Sequence, residues 1–116
     1  MSQPPGPLKL ETSWPQSGLA VVTVSGDLDM LTAPQLWGLL GELLAQTPKV
    51  LVVDLTAVAF LGSAGLAALM RAHEQAGGVE LRIVASAREI HRAFTVTGLD
   101  EVLALYPSRD AALATG

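Results

Sequence analysis

Apolar and polar positions along this chain switch between a two-residue and a 3.6-residue spacing, and each switch marks an element. Leu8, Leu10 and Thr12 alternate with Lys9, Glu11 and Ser13, the rhythm of a half-buried strand. Pro15, Ser17 and Gly18 then form a turn into LAVVTVSG (19–26). That run is β-branched and nearly continuous, as in a strand packed on both faces, and it pairs with the first strand as a hairpin. The residues before it, 1–7, read as a flexible tail, and 8–116 as one domain.

The spacing predicts a helix from about Ala33. Thr32 is placed to cap it, Gln35 to reach back, and Pro34 sits in the first turn where no N–H is missed. Leu36, Leu39, Leu40, Leu43 and Leu44 share one face, and Thr47 and Pro48 end the helix. KVLVVDL (49–55) is a short valine-rich run expected as a central strand, after which AVAFLG leads the chain out of the sheet. From Ser63, Leu66, Leu69, Met70 and His73 mark a second helix stopped by Gly77-Gly78. VELRIVA (79–85) alternates as a strand nearer an edge does, and Ser86 to Glu89 reads as a capping box. The third helix has the face Ile90, Ala93 and Phe94 and a stop at Gly98; LDEVLALYP holds a last strand, and Ser108 caps a final helical turn with Asp110 inside it. The order ββαβαβαβα predicts an α/β fold with a mixed sheet of roughly four to five strands and about four helices. Its strand-to-helix loops, SGDLDMLT (25–32) and FLGSAG (60–65), belong at the carboxyl edge of the sheet, where sites gather.

Composition narrows the function. Seven basic against eleven acidic residues give a net charge of −4, the wrong sign for a phosphate backbone. No cysteine is present, which removes disulfides and thiolate chemistry and fits a reducing compartment. The proline-bearing start MSQPPGPLKL is not expected to act as an export signal, and the longest charge-free stretch, Leu55 to Met70, is shorter than the roughly 20 apolar residues of a membrane-spanning helix. The cytoplasm is the expected location.

Catalysis finds little support. A nucleophile elbow reads G-x-S-x-G, but its first glycine is Leu61 here, and His73 lies about 15 Å along the helix from Ser63. No phosphate-binding glycine loop occurs, and no cofactor is expected. Asp27 and Asp29 lack further ligands for a metal and are expected as turn and cap residues; His73 and His91 are expected on helix surfaces or borders. Ser63 is accounted for structurally as a helix cap worth about 1 kcal/mol, although Leu66 stands where a capping box has Glu or Gln. It is accounted for functionally as an exposed hydroxyl that a second protein reaches. Both accounts stay open.

Three segments carry a resemblance: GDLDMLTAPQL from residue 26, VVDLTAVAFLGSAGLAAL at 52–69 and REIHRAFTVTGLDEVLALYPS at 88–108. In order and spacing they resemble the STAS domain of anti-sigma factor antagonists, over roughly residues 8–114, with S-x-G-L after a strand ending in D-L as the most specific feature. The resemblance implies the SpoIIAA-like fold and a non-enzymatic partner switch. An ATP-dependent anti-sigma factor serine kinase phosphorylates the serine at the helix start, Ser63 by position, and the unphosphorylated protein binds that kinase so that a sigma factor is released. Asp29 matches the acidic residue flanking the acceptor. The family commonly reads D-S-S-G or D-S-A-G, whereas Gly62 precedes the serine here. Other members of the family are unmodified subunits or domains of lipid or sulfate transporters and of stress-sensing complexes, a second class of function.

A phosphate on Ser63 would bring nearly two negative charges to a helix N-terminus, which receives them well. The switch is therefore expected at the interface, where a desolvated dianion without a basic partner costs several kcal/mol, more than a hundredfold in affinity. The expected docking face is Asp27, Leu28, Asp29 and Met30 with Gly62, Ser63, Ala64, Ala67 and Arg71, the small residues at 62, 64 and 67 permitting close approach. Trp14 and Trp37 are candidate exposed contacts with another chain, although isolated surface aromatics are common; a weak homodimer is a separate expectation.

Overall fold

β1 (Lys9–Gln16) and β2 (Leu19–Leu28) form the antiparallel hairpin, with Leu10 opposite Val24 and Thr12 opposite Val22. A computed structural model describes residues 8–114; the tail expected over 1–7 lies outside them. There follow α1 (Ala33–Ala45), β3 (Val50–Leu61), α2 (Ser63–Gln75), β4 (Glu80–Val84), α3 (Arg88–Thr97), a 3₁₀ turn (Leu99–Glu101), β5 (Ala104–Tyr106) and α4 (Arg109–Ala114). The five strands make one mixed sheet in sequence order, β2 to β5 parallel, as strand-helix alternation requires.

Side-chain alternation decides which helix goes where. Ala20, Val22 and Val24, with Leu51, Val53, Leu81 and Ile83, point to one face and share a core with Leu36, Leu40 and Leu43 of α1, Leu66 and Leu69 of α2, and Ile90 and Phe94 of α3. On the other face Leu19, Val21, Val50, Val52 and Val84 pack against Ala112 of α4. β2 and β3 are thus buried from both sides, and their apolar runs need no polar positions.

Two arginines hold α4 down. Arg109 Nε donates to Asp54 Oδ2 at 2.7 Å and its other arm donates to the Thr23 hydroxyl, while Arg82 donates to the Ala112 carbonyl at 2.6 Å and pairs with Glu80. Arg82 is buried, so the polar position in 79–85 reports a clamp for a helix, one strand in from the edge.

Several local expectations are corrected. AVAFLG does not leave the sheet: β3 continues to Leu61, paired with β2 as far as Leu28 across two register irregularities that absorb its extra residues. Thr32 does not cap α1 through its side chain, because its hydroxyl donates to the Asp27 carbonyl at 2.6 Å instead, and the Gln35 side chain does not reach back: only its backbone amide bonds Thr32, at the carbonyl, 2.9 Å away. Ser86 is not a cap either; Ala87 holds that position in extended conformation with no side-chain bond. Gly98 does stop α3 with φ 77°, and the Ser108 hydroxyl does accept from the Ala111 amide at 3.0 Å. His73 and His91 are exposed on their helices, whereas Trp37 is half-buried and covered by Arg71, so of the two tryptophans only Trp14, 44% exposed, stands free.

Candidate functional site

The ends of β2 and β3 bring the two loops together. Leu28 pairs with Leu61, and the ladder runs one bond further: the Gly62 amide donates to the Leu28 carbonyl at 2.9 Å. Ser63 therefore opens α2 beside the turn that leaves Leu28. Gly65 makes this approach possible, since a β-carbon there would stand 2.7 Å from Leu61 Cδ1 and 2.9 Å from Leu28 Cβ. The S-x-G spacing is thus a packing requirement: the third residue of the helix touches both strand ends.

Ser63 is not the helix cap. Gly62 occupies that position with φ −91° and ψ 178°, and no side-chain cap bond forms. Ser63 is the first helical residue and is exposed, and its hydroxyl makes no hydrogen bond among the described residues. The amides of Ser63 and Ala64 likewise have no acceptor, while those of Gly65 and Leu66 return to the Gly62 carbonyl. A free hydroxyl thus sits over unsatisfied donors at the positive end of a 13-residue helix.

The adjoining turn is rigid. Asp29 Oδ1 accepts from the amides of Leu31 at 2.9 Å and Thr32 at 3.0 Å, the Thr32 hydroxyl accepts from the Asp29 amide, and the Asp29 carbonyl starts α1 by accepting from Ala33. The bond from the Thr32 amide, followed by that from Leu31, outweighs desolvation and holds the Asp29 carboxyl below its ordinary range. Its other oxygen accepts no bond among the described residues. Asp29 is the organiser of this turn before it is anything else.

Of the expected docking face, the structure gathers Met30, Ala64, Ala67 and Arg71 along one groove of about 290 Å³ between α1 and α2, completed by Ala33, Pro34, Trp37 and Ala68. Asp27, Asp29, Gly62 and Ser63 stand at the strand ends beside it, all at least partly exposed. Leu28 must be removed: it is fully buried and belongs to the core, because Asp27 and Asp29 take the solvent side of the strand end. Two residues were missed. Leu31 is 86% exposed and Phe60 54%, and with Met30 they add exposed apolar surface at the ends of β2 and β3. An apolar Met-Leu pair inside a loop was the available signal for the first, whereas Phe60 was hidden by taking its segment for a connection. Arg71 lies 4.4 Å over the Trp37 ring, which flattens the groove wall.

Among the described residues no group of three or more His, Asp or Glu side chains converges to hold a metal, and no helix is long and apolar enough to cross a membrane.

Comparison with known proteins agrees with this fold. The family model described as STAS domain matches residues 15–112. The anti-sigma-F factor antagonist RsfB of Mycobacterium tuberculosis is 38% identical over 98 residues, 84% of this chain and 80% of its own length. An anti-sigma factor antagonist from Mycobacterium paratuberculosis superimposes with a TM-score of 0.88 at 39% identity, covering 93% of this chain and 92% of that one. A sulfate transporter family protein from Wolinella succinogenes, 24% identical with a TM-score of 0.73 over 84% of this chain and 83% of its own, shares the fold.

Proposed function

The chain belongs to the STAS domain family, and we propose that it acts as an anti-sigma factor antagonist. In this proposal an ATP-dependent anti-sigma factor serine kinase of the cytoplasm docks on the face formed by Asp27, Asp29, Met30, Gly62, Ser63, Ala64, Ala67 and Arg71, extended by Leu31 and Phe60. Binding occupies the kinase and releases its sigma factor, and phosphorylation of Ser63 ends it.

One observation carries the proposal: the 2.9 Å bond from the Gly62 amide to the Leu28 carbonyl sets an exposed, unbonded serine hydroxyl against a rigid acidic turn. Apolar contact from Met30, Leu31 and Phe60 supplies the driving force for docking. The unsatisfied amides of Ser63 and Ala64 stabilise an added phosphate, so modification leaves the fold intact and acts on the partner. Gly62, in place of the family's aspartate, removes a carboxylate beside the acceptor and leaves the Phe60 ring in its space, 3.0 Å from where a β-carbon would stand.

Incubation with magnesium, ATP and the cognate kinase tests this: mass spectrometry is expected to find one phosphate, on Ser63, lost in Ser63→Ala. An unmodified Ser63 together with stable copurification with a transporter ATPase would replace the proposal with a scaffolding role.

A further inference from the structure

Three of the five arginines in this acidic chain are committed. Arg82 and Arg109 are tied to carboxylates and Arg71 lies on Trp37. Arg88 and Arg92, by contrast, form no ion pair among the described residues. They are exposed on α3 one turn apart, with His91 between them, and all three line one cleft of about 400 Å³. The facing wall is Leu105 and Pro107, with Ser86 also lining it; Tyr106 reaches the cleft too, but its side chain packs toward α4 with Arg82 5.8 Å from its ring. Glu89, the carboxylate of the same helical turn, does not line the cleft.

Like charges four residues apart on a helix destabilise it, so this arrangement costs stability unless an anion occupies the cleft. The cleft lies beyond the carboxyl ends of β4 and β5, where open α/β sheets take their ligands, and its size suits a small molecule better than a partner's helix. Guanidinium groups recognise tetrahedral oxyanions through paired N–H donors, and His91 and the Ser86 hydroxyl add further donors. Leu105 and Pro107 offer an apolar surface in the same cleft, which a bare anion leaves unused.

We propose that the α3 cleft binds a small phosphate monoester, its phosphate held by Arg88, His91 and Arg92 and its organic part laid against Leu105 and Pro107. The site shares no lining residue with the groove beside Ser63, so it offers a small-molecule input separate from partner docking.

The test is amide chemical-shift titration of the ¹⁵N-labelled full chain with phenyl phosphate, inorganic phosphate and benzoate in parallel. Phenyl phosphate is expected to give saturable shifts confined to residues 85–92 and 105–107, and to bind at least about tenfold more tightly than benzoate and several-fold more tightly than inorganic phosphate. Arg88→Gln with Arg92→Gln is expected to weaken binding by about tenfold or more with the rest of the spectrum unchanged; should that pair unfold, Arg92→Gln alone is expected to weaken it about threefold. No saturation by about 10 mM, equal binding by a folded variant, or shifts centred on Ser63 would overturn the proposal. Benzoate binding as tightly as phenyl phosphate would overturn the phosphate, and inorganic phosphate doing so would overturn the ester.

Discussion

A β-carbon placed on Gly65 would stand 2.9 Å from the β-carbon of Leu28, closer than side chains pack. Leu28 is fully buried and cannot withdraw, and Leu61 crowds the same point from the other strand. Gly65→Ala is therefore expected to push the first turn of α2 off the strand ends and to cost about 1–3 kcal/mol in urea unfolding. Ala64→Gly, one position away on the partly exposed side, is expected to cost no more than about 1 kcal/mol, the ordinary helix penalty.

Asp54 and Arg109, 55 residues apart, carry the pH dependence. Burial raises the Asp54 carboxyl, but the Thr56 amide and hydroxyl and then Arg109 overcome it, so its folded value lies below the ordinary one. The unfolded chain thus binds the proton more readily, and the stabilisation is present above about pH 4 and is lost as pH falls through the lowered folded value. Asp29, lowered chiefly by the Thr32 amide, adds a dependence of the same sign. Urea unfolding at stepped pH is expected to show a shallower acid loss in Asp54→Asn than in wild type; identical acid profiles would mean that the pair does not anchor α4.

Thr32 closes the turn beside the serine by donating to the Asp27 carbonyl and accepting from the Asp29 amide. Thr32→Val keeps the shape and removes both bonds, at an expected cost of about 1–2 kcal/mol. The same variant is expected to lose partner affinity in titration calorimetry while circular dichroism stays that of wild type, since the turn loosens and the sheet does not.

Gly62 has backbone angles that any residue adopts, so the obstacle to the family's aspartate is the Phe60 ring alone. That ring is exposed and free to turn aside. A carboxylate at the helix start gains about 0.3–1 kcal/mol from the unsatisfied amides, which offsets the displacement. Gly62→Asp is expected to unfold within about 1 kcal/mol of wild type, and a larger loss would show that Phe60 is held in place.

What could be read from the chain follows from where each force originates. The leucine face of α1, the valine runs of β2 and β3, the Gly98 stop and the Ser108 cap are local consequences of periodicity and backbone chemistry, and they stand as expected. The capping roles given to Thr32, Ser63 and Ser86 failed for one reason: a short hydroxyl chooses among several nearby backbone groups, and sequence spacing does not rank them. Leu28 misled because a bulge shifts the alternation that would have placed it inside. Arg82 and Asp54 were invisible as clamps because their partners on α4 arrive only with the tertiary fold. The adjacency of the two loops was legible from topology and Leu31 from its apolar pair with Met30 in a loop, whereas Phe60 was not, because the strand that carries it read as a connection.

The most direct test measures how tightly wild type, Ser63→Ala and Ser63→Asp bind the cognate anti-sigma factor by titration calorimetry in one buffer. The account predicts Ser63→Ala within about threefold of wild type and Ser63→Asp weaker by about a hundredfold or more, as an uncompensated charge in an apolar contact demands. Equal affinities for all three proteins would contradict it.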